Sequence, residues 1–266
     1  MLTTMERLQD HYNEACYYFP EKQIVGIFLQ GSQNYGLSIE TSDVDTKLIV
    51  VPTFKDIAMN RKPMSTTHVR QNTEHIDFKD IRLYMDTFKK QNLNFLEILF
   101  TDYKIIVPQY AEEWNRLIAA REKIARMNPY RAVKSMKGIA MEKFHALKHE
   151  YPSKLDVLAQ YGYDPKQLHH LVRVEDYLDR YIRGESYEDC LRPTDPEYLI
   201  AIKRGKYNLF YAEELAAASI AHVTEMADKF CELVPEGEDP EMAELLADVQ
   251  YQIMKIAITE ELKKGD

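Results

Sequence analysis

The chain has 266 residues, 45% of them apolar and 29% charged, a balance that excludes a wholly disordered or collagen-like chain and leaves room for one large or two small folded domains. Thirty-four Lys and Arg against 43 Asp and Glu leave a net charge of −9, which argues against long duplex nucleic acid as a partner while leaving room for a local basic groove. No apolar run reaches the ~18 residues of a membrane span, and the N-terminal MLTTMERLQDHYNEACYYF lacks the basic-then-apolar order of a secretion signal, so a cytoplasmic location with no membrane partner is expected.

Up to about residue 107 short β-rich runs alternate with polar turns. Ile24 to Leu29 is a compact apolar run and reads as a buried strand. Val44 to Val51 reads as a second strand, stopped by Pro52. Glu74 to Phe78 alternates polar and apolar residues and predicts a third. Asp80 is placed to cap a helix running through Gln91, with Ile81, Tyr84, Met85 and Phe88 on one face. Lys104 to Val107 predicts a short fourth strand before Pro108. Beyond Pro108 the periodicity is helical. Tyr110 to Arg126 predicts one helix, and Pro129 starts another that reaches about Lys148, with Val133, Met136, Ala140, Phe144 and Leu147 as its apolar stripe. Asp164-Pro165 opens a helix with Leu168, Leu171, Val172 and Leu178 inward. Segment 184–196 reads as a loop, followed by helices near 196–204 and 211–233, a turn from Pro235 to Pro240, and a final amphipathic helix. The pattern predicts an α+β fold, β-rich with some helix over residues 1–107 and helical over residues 108–266. Cys16, Cys190 and Cys231 are odd in number and form no Cys-x-x-Cys pair, so reduced thiols are expected rather than a zinc ribbon or disulfide scaffold.

The stretch LQGSQNYGLSIETSDVDTKLIV, from Leu29 to Val50, carries the chemistry, and three of the nine glycines fall between Gly26 and Gly36. Gly31 lets a backbone approach a phosphate closely, because no Cβ intervenes. Ser32 offers a hydroxyl and an N–H to phosphate oxygens. Asp43 and Asp45 are two apart at the start of a strand, so both carboxylates point to one face and repel each other unless a cation lies between them. Asp77 sits centrally in the third predicted strand, where a core face would carry an apolar residue, and is the candidate third acid. Glu74 and Asp80 are weaker alternatives for it. Phosphate cradle, polar loop and clustered acids together describe a metal-assisted phosphoryl or nucleotidyl transfer site.

Gly31-Ser32, ten residues, then Asp43-Val44-Asp45 resembles the signature of the DNA-polymerase-β-like nucleotidyltransferase superfamily. The longer GSQNYGLSIETSDVD resembles the "predicted nucleotidyltransferase" branch found in bacteria and phages, and GYDPKQLHHLVR (Gly162 to Arg173) resembles a helical motif that accompanies the core in that branch. The resemblance implies a small mixed sheet with flanking helices as catalytic core over residues 1–107, a helical domain over 108–266 that closes the cleft and binds the acceptor, two Mg²⁺ ions, with Mn²⁺ able to substitute, and transfer of a nucleoside monophosphate from an NTP such as ATP to an acceptor hydroxyl, with release of pyrophosphate. It implies Asp43 and Asp45 as metal ligands, Asp77 as the third acid that meets the catalytic metal and the acceptor hydroxyl, and Gly31 and Ser32 as holders of the triphosphate. No role carries over to Lys47, which would meet a phosphate or pair with an acid. Lys134, Lys137, His145 and Lys148 form a basic stripe on one predicted helix. Lys137 from that stripe and Arg173 from the helical motif are candidate nucleotide-binding residues, beside a reading of both as ordinary helix-surface charges. The acceptor is open: a small molecule, a protein side chain or a short RNA 3′ end. A catalytically silent nucleotide-binding module of the same fold is the alternative reading.

Overall fold

In a computed structural model, which describes residues 3–18, 23–40 and 42–263, the chain forms an α+β protein with one five-stranded mixed sheet and many helices. Helix α1 (Thr4–Tyr18) leads into strand β1 (Gln23–Gln30), a single turn of 3₁₀ helix over Ser32–Tyr35, and strand β2 (Asp45–Val51). Short helix α2 (Phe54–Ala58), strand β3 (Ser65–Val69) and strand β4 (His75–Asp80) follow, then α3 (Ile81–Lys89), α4 (Leu93–Leu96) and β5 (Lys104–Ile106). The remainder is helical: α5 (Ala111–Ala119), α6 (Arg121–Ala125), α7 (Pro129–Ala146), α8 (Leu155–Tyr161), α9 (Pro165–Ile182), α10 (Tyr187–Leu191), α11 (Pro196–Lys203), α12 (Leu209–Leu233) and α13 (Pro240–Lys263).

The strand order is β3-β4-β2-β1-β5. Only β2 and β4 run parallel, with Lys47 opposite Asp77; the other pairs are antiparallel. One sheet face is apolar: Ile24, Ile27, Leu48, Val50, Ile76 and Phe78 close over Leu8 and Ala15 of α1. On the other face α3 and α13 pack on β2. Phe28 meets Trp114 of α5 with ring centroids 4.6 Å apart. Gly26 is required where β1 passes β5, since a Cβ there would lie 2.8 Å from the Ile105 carbonyl oxygen.

The chain divides into two compact units. One holds residues 1–34, 40–127 and 238–266; the other holds 35–39 and 128–237. A cut at residue 107 therefore does not follow the compact units. Helices α5, α6 and α13 belong with the sheet, because Trp114 and the buried face of α13, including Leu246, Val249 and Ile253, bury their apolar surface in that unit. Three predicted elements also need correction. The helix expected over 110–126 breaks at Ala120 into α5 and α6. The loop expected over 184–196 contains α10, capped by Ser186 through its hydroxyl to the Asp189 N–H at 3.0 Å. Strand β3 was not expected: it is a polar, mostly exposed edge strand with no apolar alternation to betray it. The caps of α3 (Asp80) and α9 (Asp164, with Pro165) and the first-position Pro129 of α7 match the sequence reading, and Asn128 caps α7.

His11 of α1 is fully buried, and burial pushes its pKa down from 6.5 to about 4, helped by the charges of Arg70 and Arg7 and opposed by Glu14. The folded protein thus holds His11 neutral, whereas the unfolded chain protonates it below its ordinary pKa. The linked stability is fully present above that value and is lost as pH falls toward the folded-state value. Wild-type protein should lose about 2 kcal/mol more than a His11→Gln variant between pH 7.5 and pH 5, read from urea unfolding at both pH values.

Candidate active site

The sheet unit builds the candidate site at the end of β1 and the start of β2. Gly31 directly follows β1 with φ +98, a conformation that favours glycine, and a Cβ placed there would meet no atom within 4 Å. The backbone at this turn is therefore open on the side where a Cβ would stand. The 3₁₀ turn that follows is held at two points. Asn34 donates to the Leu29 carbonyl at 3.0 Å and accepts from the Thr101 hydroxyl at 2.7 Å. Gln33 donates from Nε2 to the Asp43 carbonyl at 2.8 Å. That bond ties the Gly31-Ser32 turn directly to the acid-bearing segment. Thr41, between the two, lies outside the described residues.

Asp43 is exposed just before β2, and Asp45 is the first residue of that strand. Asp45 accepts the His75 backbone N–H at 3.0 Å, and its Oδ1 lies 3.1 Å from the His75 Nδ1. Side chains alternate along a strand, so Asp45 and Lys47 share one face, and the parallel register sets Asp77 beside Lys47 on that same face. Asp77 accepts the Thr67 hydroxyl at 2.6 Å and pairs with the Lys47 ammonium at 3.6 Å. Lys47 is 2% exposed. Its ammonium stands 4.1 Å from the centre of the Phe95 ring, and Lys79 stands 3.9 Å from the same ring. Burial pushes the Lys47 pKa down from 10.5 to about 8; the charges of Asp77 and Asp45 oppose that shift and Lys79 adds to it. Of the two readings the sequence left open for Lys47, the structure shows the pairing with an acid.

The two alternatives for the third acid are engaged elsewhere. Asp80 caps α3 and binds Arg82 at 2.7 Å. Glu74, 1% exposed, is taken up by Arg7, His11 and Arg70. Of the three acids read from the sequence, Asp45 and Asp77 share one sheet face and Asp43 lies two residues upstream. Among the described residues no group of three or more His, Cys, Asp or Glu side chains could by itself hold a metal ion. The donor set therefore does not fit an ion caged by protein alone. Magnesium ordinarily rests on one or two carboxylates and completes its shell with water and substrate phosphates.

Lys137 and Arg173 belong to the helical unit. Lys137 of α7 pairs with Asp228 of α12 at 2.6 Å, and its stripe neighbour Lys148 pairs with Glu213 at 2.6 Å, so much of the basic stripe is an ion-paired seam between these helices. The Arg173 guanidinium lies 3.8 Å from the centre of the Tyr35 ring. His169, beside it in the helical motif, is buried with Nδ1 2.9 Å from the Leu199 carbonyl, and burial pushes its pKa down to about 4. That histidine reads as interhelical packing. Sequence reasoning passed over Gln33, His75, Thr67 and Phe95. Of these only Gln33, inside the loop motif, carried any signal; the others enter through strand pairing and tertiary packing.

All three cysteines are free thiols. Among the described residues no helix is long and apolar enough to cross a membrane. No protein-family model matches this chain, and no curated protein matches it. Among solved structures it is similar to a nucleotidyltransferase-like protein from Exiguobacterium sibiricum, at 10% identity over 99% of this chain and 92% of that one, with a TM-score of 0.32.

Proposed function

We propose that this protein is a nucleotidyltransferase that moves a nucleoside monophosphate from an NTP to an acceptor hydroxyl and releases pyrophosphate. What supports this reading is an open positive-φ glycine turn tied to the Asp43 segment, with Asp45 and Asp77 on one face of the sheet. Gln33 ties the turn to Asp43 at 2.8 Å, and the parallel pairing of β2 with β4 sets Asp77 on the face of Asp45. Backbone N–H groups around Gly31 and Ser32 would hold the triphosphate. Asp43 and Asp45 would hold Mg²⁺, or Mn²⁺, and such an ion supplies Lewis-acid neutralisation of phosphate charge. Asp77 would orient the acceptor hydroxyl and take its proton, the role for which a positioned carboxylate is worth about 10²–10⁴-fold. Lys47, buried beside it, pairs with that carboxylate at 3.6 Å.

Melting curves test the binding half of this reading. Mg²⁺ together with an NTP should raise the melting temperature, and either alone should do much less, because the ion needs phosphate oxygens to complete its shell and only the native state offers the site. An unchanged curve across all four common NTPs overturns the proposal. Incubation with each α-labelled NTP and a cell extract tests the chemical half and identifies the acceptor as small molecule, protein or RNA 3′ end. The second reading, a silent nucleotide-binding module, draws on the tethering of Asp77 by Thr67 and Lys47. It predicts the same thermal shift with no pyrophosphate released.

A further inference from the structure

One heavily bonded carboxylate of the sheet unit lies outside the three acids assigned to the candidate site. Glu74, 1% exposed, ends the turn before β4. Its Oε1 accepts the Val44 backbone N–H at 3.2 Å and pairs with Arg7 of α1. Its Oε2 accepts from Arg70 at 2.9 Å and Asn72 at 2.7 Å, and lies 2.9 Å from the His11 Nε2. A carboxylate can only accept, so Nε2 of His11 is the donor, and Nδ1 is left to accept the Thr46 hydroxyl at 3.0 Å.

Val44 lies between Asp43 and Asp45, and Thr46 follows Asp45. We propose that Glu74 and His11 are positioning residues of the candidate site, a buried clamp that holds the segment on both sides of Asp45, at the Val44 amide and the Thr46 hydroxyl, and so sets the direction of the Asp43 and Asp45 carboxylates. The clamp holds the segment from the α1 face. From the opposite side the next residue, His75, donates its backbone N–H to Asp45 at 3.0 Å. One short stretch of β4 thus addresses the acid pair twice, through the Glu74 side chain to the Val44 amide and through the His75 amide to the Asp45 carboxylate. A group that served only to join α1 to the sheet would need its bonds to Arg7 and His11 and not the bond to Val44. Groups that orient metal-holding carboxylates from behind typically change metal affinity about 10–100-fold when removed. This inference rests on the nucleotidyltransferase reading for the role of the acid pair.

The test uses the full chain and Mn²⁺ with ATP, or with whichever NTP gives the largest thermal shift, and reads bound Mn²⁺ by paramagnetic resonance, without any need for turnover. Glu74→Gln keeps the side chain's size but puts an amide N–H₂ where a charged acceptor stood. It should weaken Mn²⁺–nucleotide binding by about 10-fold or more and speed hydrogen exchange at the Val44 amide. Thr46→Val, which only removes the hydroxyl facing His11, should give a smaller loss of the same kind and serves if Glu74→Gln does not fold. Leu8→Ala, in the core under α1, is the control: it should lower the melting temperature and leave Mn²⁺–nucleotide affinity unchanged. The clamp is overturned if the Glu74 and Thr46 variants bind Mn²⁺–nucleotide like wild type, or if Leu8→Ala loses affinity in proportion to its lost stability. If wild type binds no Mn²⁺–nucleotide with any of the four NTPs, the nucleotidyltransferase reading itself falls, and the inference with it.

Discussion

Asp45→Asn should reduce nucleotidyl transfer by about 10²–10⁴-fold, and Asp43→Asn should do the same, because each removes one of the two charges proposed to hold the metal and the nucleotide phosphates. The fold should survive both changes. Asp43 is exposed. An asparagine at position 45 keeps an oxygen that accepts the His75 backbone N–H, now at 3.0 Å. The Asp45 side chain is 40% exposed, so its pairing with His75 is solvent-screened and the loss of charge should change unfolding free energy by less than about 1 kcal/mol. Transfer kinetics and urea unfolding on the same preparations check the two halves of this statement. Wild-type turnover in either variant removes the metal-ligand assignment.

Asp77→Asn should separate chemistry from binding. Nucleotide affinity should change by a small factor, while turnover falls by on the order of a hundredfold, since this acid is proposed to serve the acceptor's proton rather than the triphosphate. The surroundings of Asp77 add a second expectation. The asparagine oxygen still accepts the Thr67 hydroxyl, but the buried Lys47 ammonium loses its charge partner at 3.6 Å. Because Asp77 itself is 37% exposed, the cost should be modest, about 1 kcal/mol. Lys47→Met in the Asp77→Asn background should recover that stability without recovering turnover. A double-mutant cycle with NTP titration and a transfer assay reads both. Near-normal turnover in Asp77→Asn would place the proton's acceptor elsewhere. Asp80 and Glu74 are poor substitutes, since Arg82 and the Arg7–His11–Arg70 cluster already hold them.

Much of this architecture was written locally in the chain. Strands β1, β2, β4 and β5 announced themselves because β-branched and apolar residues either run together, as in Ile24 to Leu29, or alternate, as in Glu74 to Phe78. The caps at Asp80, Asn128-Pro129 and Asp164-Pro165 mark helix starts that depend only on neighbouring N–H groups. The Gly31-Ser32 turn was legible for the same reason, as a glycine with room for positive φ, whereas of the two acids read at strand spacing only Asp45 lies in β2 and Asp43 precedes it. What required tertiary structure was every relation between segments far apart in sequence. Strand β3 has no apolar alternation, so only its pairing with β4 reveals it and supplies Thr67 to Asp77. Helix α13 has the same amphipathic pattern as its predecessors, yet its buried stripe belongs with the sheet, a choice that periodicity cannot make. The parallel register of β2 and β4 decided that Lys47, a buried cation, would stand beside Asp77, and the docking of α1 decided that Glu74 would turn away from the acid face to hold Val44. Residue type told which groups could do chemistry; burial and strand register decided which of them are available to do it.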